Sequence, residues 1–171
     1  MTDKEMKALW SSLSKCKRIS LKNGMGCQEH KLTHEGFGVY ALWDKNKRLL
    51  YVGHSHTDRK AKGKYCGIKD RLDSHRLGGG TLGTALFAVK VGREYTKQDW
   101  EDSASGKLPF ASRIQKYIRK NVQYSFVKTT SIDKAKRLER WIHTEKDPLL
   151  NNLARRFKAE TKRKKALNII S

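Results

Sequence analysis

The chain has 171 residues, with 38 Lys and Arg against 17 Asp and Glu, a formal net charge of +21. The length suits one domain with its own core, and the charge far exceeds the roughly 2–8 that solubility asks of a small domain. No long apolar run, leader peptide or lipidation signal is read, which argues against a membrane protein. Such an excess repels itself in the compact state, so the expected partner is a polyanion, and nucleic acid is the best candidate. Cys16, Cys27 and Cys66, without a secretory signal, fit free thiols in a reducing, cytoplasmic setting.

In chain order, residues 3–17 predict an amphipathic helix, since Met6, Leu9, Trp10 and Leu13 recur at helical spacing. Residues 18–35 read as irregular. Cys27, His30 and His34, with Cys16 upstream, are donors of a kind zinc takes. The Cys pair two residues apart that usually accompanies them is missing, so ordinary surface and core roles are the expectation. The runs GFGVYALWD and KRLLYVG predict two strands of a β-hairpin around a short polar turn.

A basic loop follows, and GIKDRLDSHRL then predicts a helix stopped by Gly78–Gly80. Residues 81–95 fit both periods, with helix weakly preferred. LPFASRIQKYIRKN predicts a helix and VQYSFVKTT a strand. Ser131 is placed as the cap of a helix whose stripe is Ile132, Ala135, Leu138 and Ile142. The tail, with Arg155, Arg156, Lys158, Lys162, Arg163, Lys164 and Lys165, reads as a basic helix, suited to tracking DNA or to plain solvation. The sum is a small α+β domain with a central antiparallel sheet, a hairpin plus a third strand, flanked by helices.

Within this frame the sequence places two tyrosines beside glycines, GVY at 38–40 and YVG at 51–53, then Arg71 and His75 four apart on one helix face, Glu139 on a later helix, and Pro148 to Asn151 in PLLN. In these residues the chain resembles the GIY-YIG nuclease family, each name motif differing by one Ile→Val. The resemblance covers residues 36–152, leaving 1–35 as an N-terminal helix and irregular arm and 153–171 as the basic helix. It implies a metal-dependent DNA endonuclease with catalytic residues Tyr40, Tyr51, Arg71, His75, Glu139 and Asn151.

Physical chemistry agrees with those roles. Arg71 offers a bidentate, permanently charged fork for a phosphate. Glu139 is the matched carboxylate that could hold one Mg²⁺ or Mn²⁺. Tyr40 resembles the residue that activates water in the family, but a free phenol titrates near 10, and His75 is a relay or an alternative base. Tyr51 is expected to position phosphate or water, and Asn151 to hold the site by hydrogen bonding. Gly53, His54, Ser55 and His56 follow as substrate contacts, His54 or His56 also as a supporting base. Lys60, Lys62, Lys64 and Lys69, with Arg59, read either as phosphate contacts or as a charged loop. The compact layout is similar to the family's restriction enzymes, for which a symmetric homodimer would place two cuts on opposite strands of double-stranded DNA. A phage, mobile-element or repair nuclease, or a silent nucleic-acid-binding module, is the alternative.

Overall fold

A computed structural model gives the fold and describes residues 1–23, 37–55, 67–78, 80–107 and 109–151. Its heart is a four-stranded, wholly antiparallel sheet in the order β1-β4-β2-β3, formed by β1 (Ile19–Ser20), β2 (Phe37–Asp44), β3 (Leu49–Ser55) and β4 (Val122–Thr129). The expected α+β class and central antiparallel sheet are therefore present. β2 lies between the other two long strands and is buried from Gly38 to Trp43. Its register sets Tyr40 opposite Gly53, and Leu42 opposite Tyr51. Trp43 then pairs with Leu49, so Leu50 is an extra residue and the hairpin carries a bulge near its turn.

Alternation along β2 sends its side chains into two cores. Tyr40 and Leu42 join Leu50 and Tyr124 under α2 (Ile68–Arg76), α3 (Gly80–Leu86) and α5 (Phe110–Asn121). Val39, Ala41 and Trp43 join Val52 on the opposite face, under α1 (Asp3–Lys15) and α6 (Ile132–Lys146). Leu13 of α1 and Ala135, Leu138 and Ile142 of α6 are fully buried there. These are the stripes read from the sequence. Trp43 is also fixed by its indole N–H, which donates to Ser125 Oγ at 2.8 Å.

The helix ends have local causes. Thr2 and Glu5 form a capping box at α1, and Ser131 accepts from the Lys134 N–H at α6. α6 stops at Asp147 in the left-handed region, directly before Pro148. α2 is anchored by Ile68 and Leu72, both buried. Truncating a side chain such as Leu72 costs about 2–5 kcal/mol, and it would release the helix that carries His75.

Three features differ from the sequence reading. Residues 19–20 form a short fourth strand on β4, where an irregular segment is expected. Residues 80–94 are helical throughout, as weakly preferred, but α3 passes into a π-helical stretch at Phe87–Val91 and a 3₁₀ turn at Gly92–Glu94. An unforeseen helix, α4 (Lys97–Ala104), follows a Thr96–Asp99 capping box. Cys27, His30, His34, Cys66 and the tail from 152 lie outside the described residues. Cys16 is a free thiol whose S–H donates to the Leu13 carbonyl at 3.4 Å. No helix among the described residues is long and apolar enough to cross a membrane.

Candidate functional site

The site is built first from the hairpin. Tyr40 on β2 faces Gly53 on β3, and its phenol lies over that glycine. A Cβ at position 53 would meet the Tyr40 hydroxyl oxygen at 2.4 Å. Tyr51 is two residues before Gly53 on the same face of the strand. Its ring stacks beside that of Tyr40, with centroids 6.3 Å apart.

α2 then brings His75 down onto both rings, 5.6 Å from Tyr40 and 5.2 Å edge-on to Tyr51. The Tyr40 hydroxyl and His75 Nε2 share a hydrogen bond of 2.7 Å. Both side chains are buried, Tyr40 to 2 % exposure. His75 Nδ1 has no hydrogen-bond partner among the described residues.

Arg71 is one helical turn before His75 and is exposed at the rim. Its guanidinium draws the proton affinity of Tyr40, Tyr51 and His75 downward. Burial decides the outcome for the phenols. It pushes Tyr40 well above the ordinary phenol range, helped by neighbouring Tyr51 and the Glu139 carboxylate and opposed by Arg71. Tyr51 is raised by burial first and then by Glu139. For His75, burial and Arg71 act together and bring the imidazole down to about 4. At neutral pH both tyrosines are therefore protonated and His75 is neutral.

Glu139 comes from α6 on the other side of the sheet, yet its charge is felt by both phenols. Its side chain is 19 % exposed. His54 Nδ1 is 2.6 Å from Oε2, while Oε1 is 4.0 Å from His143 Nε2, too long for a hydrogen bond. His143 lies instead 3.3 Å from the Val52 carbonyl, which can only accept, so that contact requires the proton on Nε2. Asn151 clamps the same residue: its Oδ1 accepts from the Val52 N–H at 2.7 Å, and its Nδ2 donates to the Val52 carbonyl at 2.9 Å. Val52 is on the terminal strand of the sheet and sits between Tyr51 and Gly53, so this clamp fixes the strand that presents both.

The sequence-predicted residues thus separate into groups. Tyr40, Tyr51, Gly53 and His75 are in mutual contact, with Arg71 and Glu139 acting on them through charge. His54 belongs to Glu139. Asn151 acts on the backbone of β3 through its two hydrogen bonds to Val52. Ser55 is fully buried, and its hydroxyl has no partner among the described residues. Lys69 is half-buried on α2. His56, Arg59, Lys60, Lys62 and Lys64 lie outside the described residues. His143 is the member that the sequence reading missed; its i, i+4 spacing from Glu139 was the available signal.

Among the described residues no group of three or more His, Cys, Asp or Glu side chains could hold a metal ion. A hard cation that keeps most of its waters needs fewer protein ligands. The Glu139 carboxylate, part-exposed and with only Oε2 hydrogen-bonded to His54, fits one such contact. No family model, curated protein or solved structure matches the chain.

Proposed function

We propose that this protein is a divalent-cation-dependent endonuclease of the GIY-YIG type that hydrolyses phosphodiester bonds in double-stranded DNA, most economically as a restriction-type enzyme. The observation that carries the reading is the convergence of Tyr40, Tyr51 and His75 into one ring cluster, with one arginine and one carboxylate from separate helices acting on both phenols. A core aromatic cluster has no need of a fixed cation and anion at its rim.

In this reading Arg71 binds the scissile phosphate and neutralises charge as it builds up. Tyr40 orients the attacking water. With His75 protonated on Nδ1, its Nε2 accepts the Tyr40 hydrogen bond, so the phenol can take a proton from water while passing its own to the imidazole. That transfer is uphill in the resting site, since burial holds Tyr40 protonated and His75 neutral. The negative charge of a bound phosphate raises the proton affinity of His75 and favours it. Tyr51 packs against both groups and orients them. Glu139 would hold Mg²⁺ or Mn²⁺ through Oε1, and a bound ion supplies further charge stabilisation for the phosphate and the leaving oxygen. His54 orients the carboxylate by occupying Oε2.

A silent nucleic-acid-binding module is the second reading, and one observation favours it: half of the Glu139 carboxylate is already engaged by His54. Digestion of supercoiled plasmid and of phage DNA, with Mg²⁺ or EDTA, by wild type and Glu139→Gln separates the two. Discrete fragments that need both Mg²⁺ and Glu139 are the expected result. A smear that needs both keeps the nuclease and removes the restriction assignment. Intact DNA throughout, with salt-sensitive binding preserved, selects the silent module.

A further inference from the structure

A second feature lies apart from the tyrosine cluster. The outer side of α5 is flanked by two clefts, of about 840 and 790 Å³. Both are lined by Ser112, Lys116 and Lys120, so they run side by side along the helix with this row between them, and the two together are the α5 trough. None of Tyr40, Tyr51, His54, Arg71, His75 or Glu139 lines either of them.

The trough concentrates charge beyond the average of a basic chain. Lys and Arg are 38 of 171 residues overall. They are 5 of the 10 lining the first cleft, namely Lys45, Lys90, Arg113, Lys116 and Lys120, against a single Glu94. They are 4 of the 8 lining the second, where Lys22 and Arg119 join Lys116 and Lys120 with no acid. Among the described residues none of the five lysines makes an ion pair. Arg113 is held in place by Asp99 and by stacking over Tyr95 at 5.0 Å.

Like charges gathered in a concave surface cost self-repulsion, which an anion relieves. The shape says which anion. Arg113, Lys116 and Lys120 stand at i, i+3 and i+7, spanning about 10 Å of helix. Lys45 and Lys90 extend the row to one side and Lys22 to the other. A small anion would satisfy one or two of these groups, whereas a duplex presents a charge every ~1.7 Å of its axis.

We infer that this trough is a track for the sugar-phosphate backbone of a nucleic-acid duplex, holding it at a distance from the bond to be cut. The choice of duplex DNA as the polyanion rests on the nuclease reading above; the site itself does not. Phosphate contacts of this kind fix position and register and carry no sequence information.

The test is fluorescence anisotropy of a labelled DNA duplex in EDTA, over a range of KCl concentrations. Wild type is compared with the triple variant Lys90→Ala, Lys116→Ala, Lys120→Ala. The control is Lys4→Ala, Lys15→Ala, Lys17→Ala, which removes the same charge from exposed positions at α1. The trough variant is expected to weaken binding at least tenfold, and to flatten the salt slope by about 2–3, as loss of three phosphate contacts requires. The control should move both quantities far less. Lys116→Glu alone, which reverses the charge shared by the two clefts, should weaken binding without a triple change. Equal effects from the two triples, or none from either trough variant, would overturn the inference. Plasmid cleavage keeps the two proposals apart. DNA that binds through the trough but is never cut leaves the track and removes the nuclease. Trough variants that bind and cut like wild type remove the track and leave the nuclease.

Discussion

Gly53 is the position where one atom tests the whole arrangement. In Gly53→Ala the new Cβ would lie 2.4 Å from the Tyr40 hydroxyl oxygen, 2.6 Å from Cζ and 3.0 Å from Tyr51 Cε1. Ordinary contact begins near 3.4 Å, so the phenol must give way by about 1 Å. It has little room, because Tyr40 is buried and its hydroxyl is bonded to His75 at 2.7 Å. Overpacking of this kind costs about 1–3 kcal/mol, and the less flexible unfolded chain returns roughly 0.4–1 kcal/mol. The net loss is about 1–2 kcal/mol, a fall of roughly 2–8 °C in Tm for a domain of this size.

The effect on cleavage is larger, since displacing a catalytic group by about 1 Å costs on the order of 10²-fold. Urea unfolding and plasmid nicking rates measure the two effects. Ile142→Val, in the core under α6, is a control of similar stability cost, about 0.5–1.5 kcal/mol, and should cut like wild type. A Gly53→Ala protein that melts and cuts like wild type would refute the packing of Tyr40 against β3.

The pH dependence of stability follows from His75. Its folded value is lowered from 6.5 to about 4, so the folded state favours the neutral ring. The contribution is complete above 6.5 and is lost as pH falls from 6.5 towards 4; the difference of 2.5 units is worth about 3 kcal/mol at most. Urea unfolding at pH 7, 5.5 and 4.5 should show wild type losing more stability than His75→Asn, and parallel profiles would count against the buried neutral ring. Asn151→Ala leaves the Val52 N–H without its partner and the Val52 carbonyl with only the 3.3 Å contact to His143, at a cost of about 1–3 kcal/mol. Amide exchange at Val52 should then speed up strongly; unchanged exchange would show that the clamp does not hold β3.

Legibility in the sequence followed the strength of local signals. The hairpin was readable because GVYALW alternates around a polar turn, and α6 because Ser131 and a four-residue apolar stripe agree. Residues 81–95 satisfied both periods, since Leu, Ala and Val recur at 2 and at 3–4. β1, two residues long, offers no period at all. α4 buries only Asp99, so its apolar pattern is nearly silent, although the Thr96–Asp99 pair was a readable cap. The residues of the ring cluster were nameable from their motifs, but not their contacts. That His75 binds Tyr40, that His54 binds Glu139, and that Asn151 grips Val52 depend on separations of 35, 85 and 99 residues. The α5 trough was hidden for the same reason, as its lysines come from four distant segments.

The most direct measurement of the central claim is the rate at which Tyr40→Phe nicks supercoiled plasmid in Mg²⁺ beside wild type, with duplex affinity measured on the same preparations. This change removes one oxygen atom, the one bonded to His75, and leaves the ring packing and all of the basic surface in place. Wild type that cuts, and a variant that binds equally well but cuts at least 10³-fold more slowly, is the predicted result, in the range expected for loss of a group that moves a proton. Cleavage by Tyr40→Phe at the wild-type rate would contradict the site.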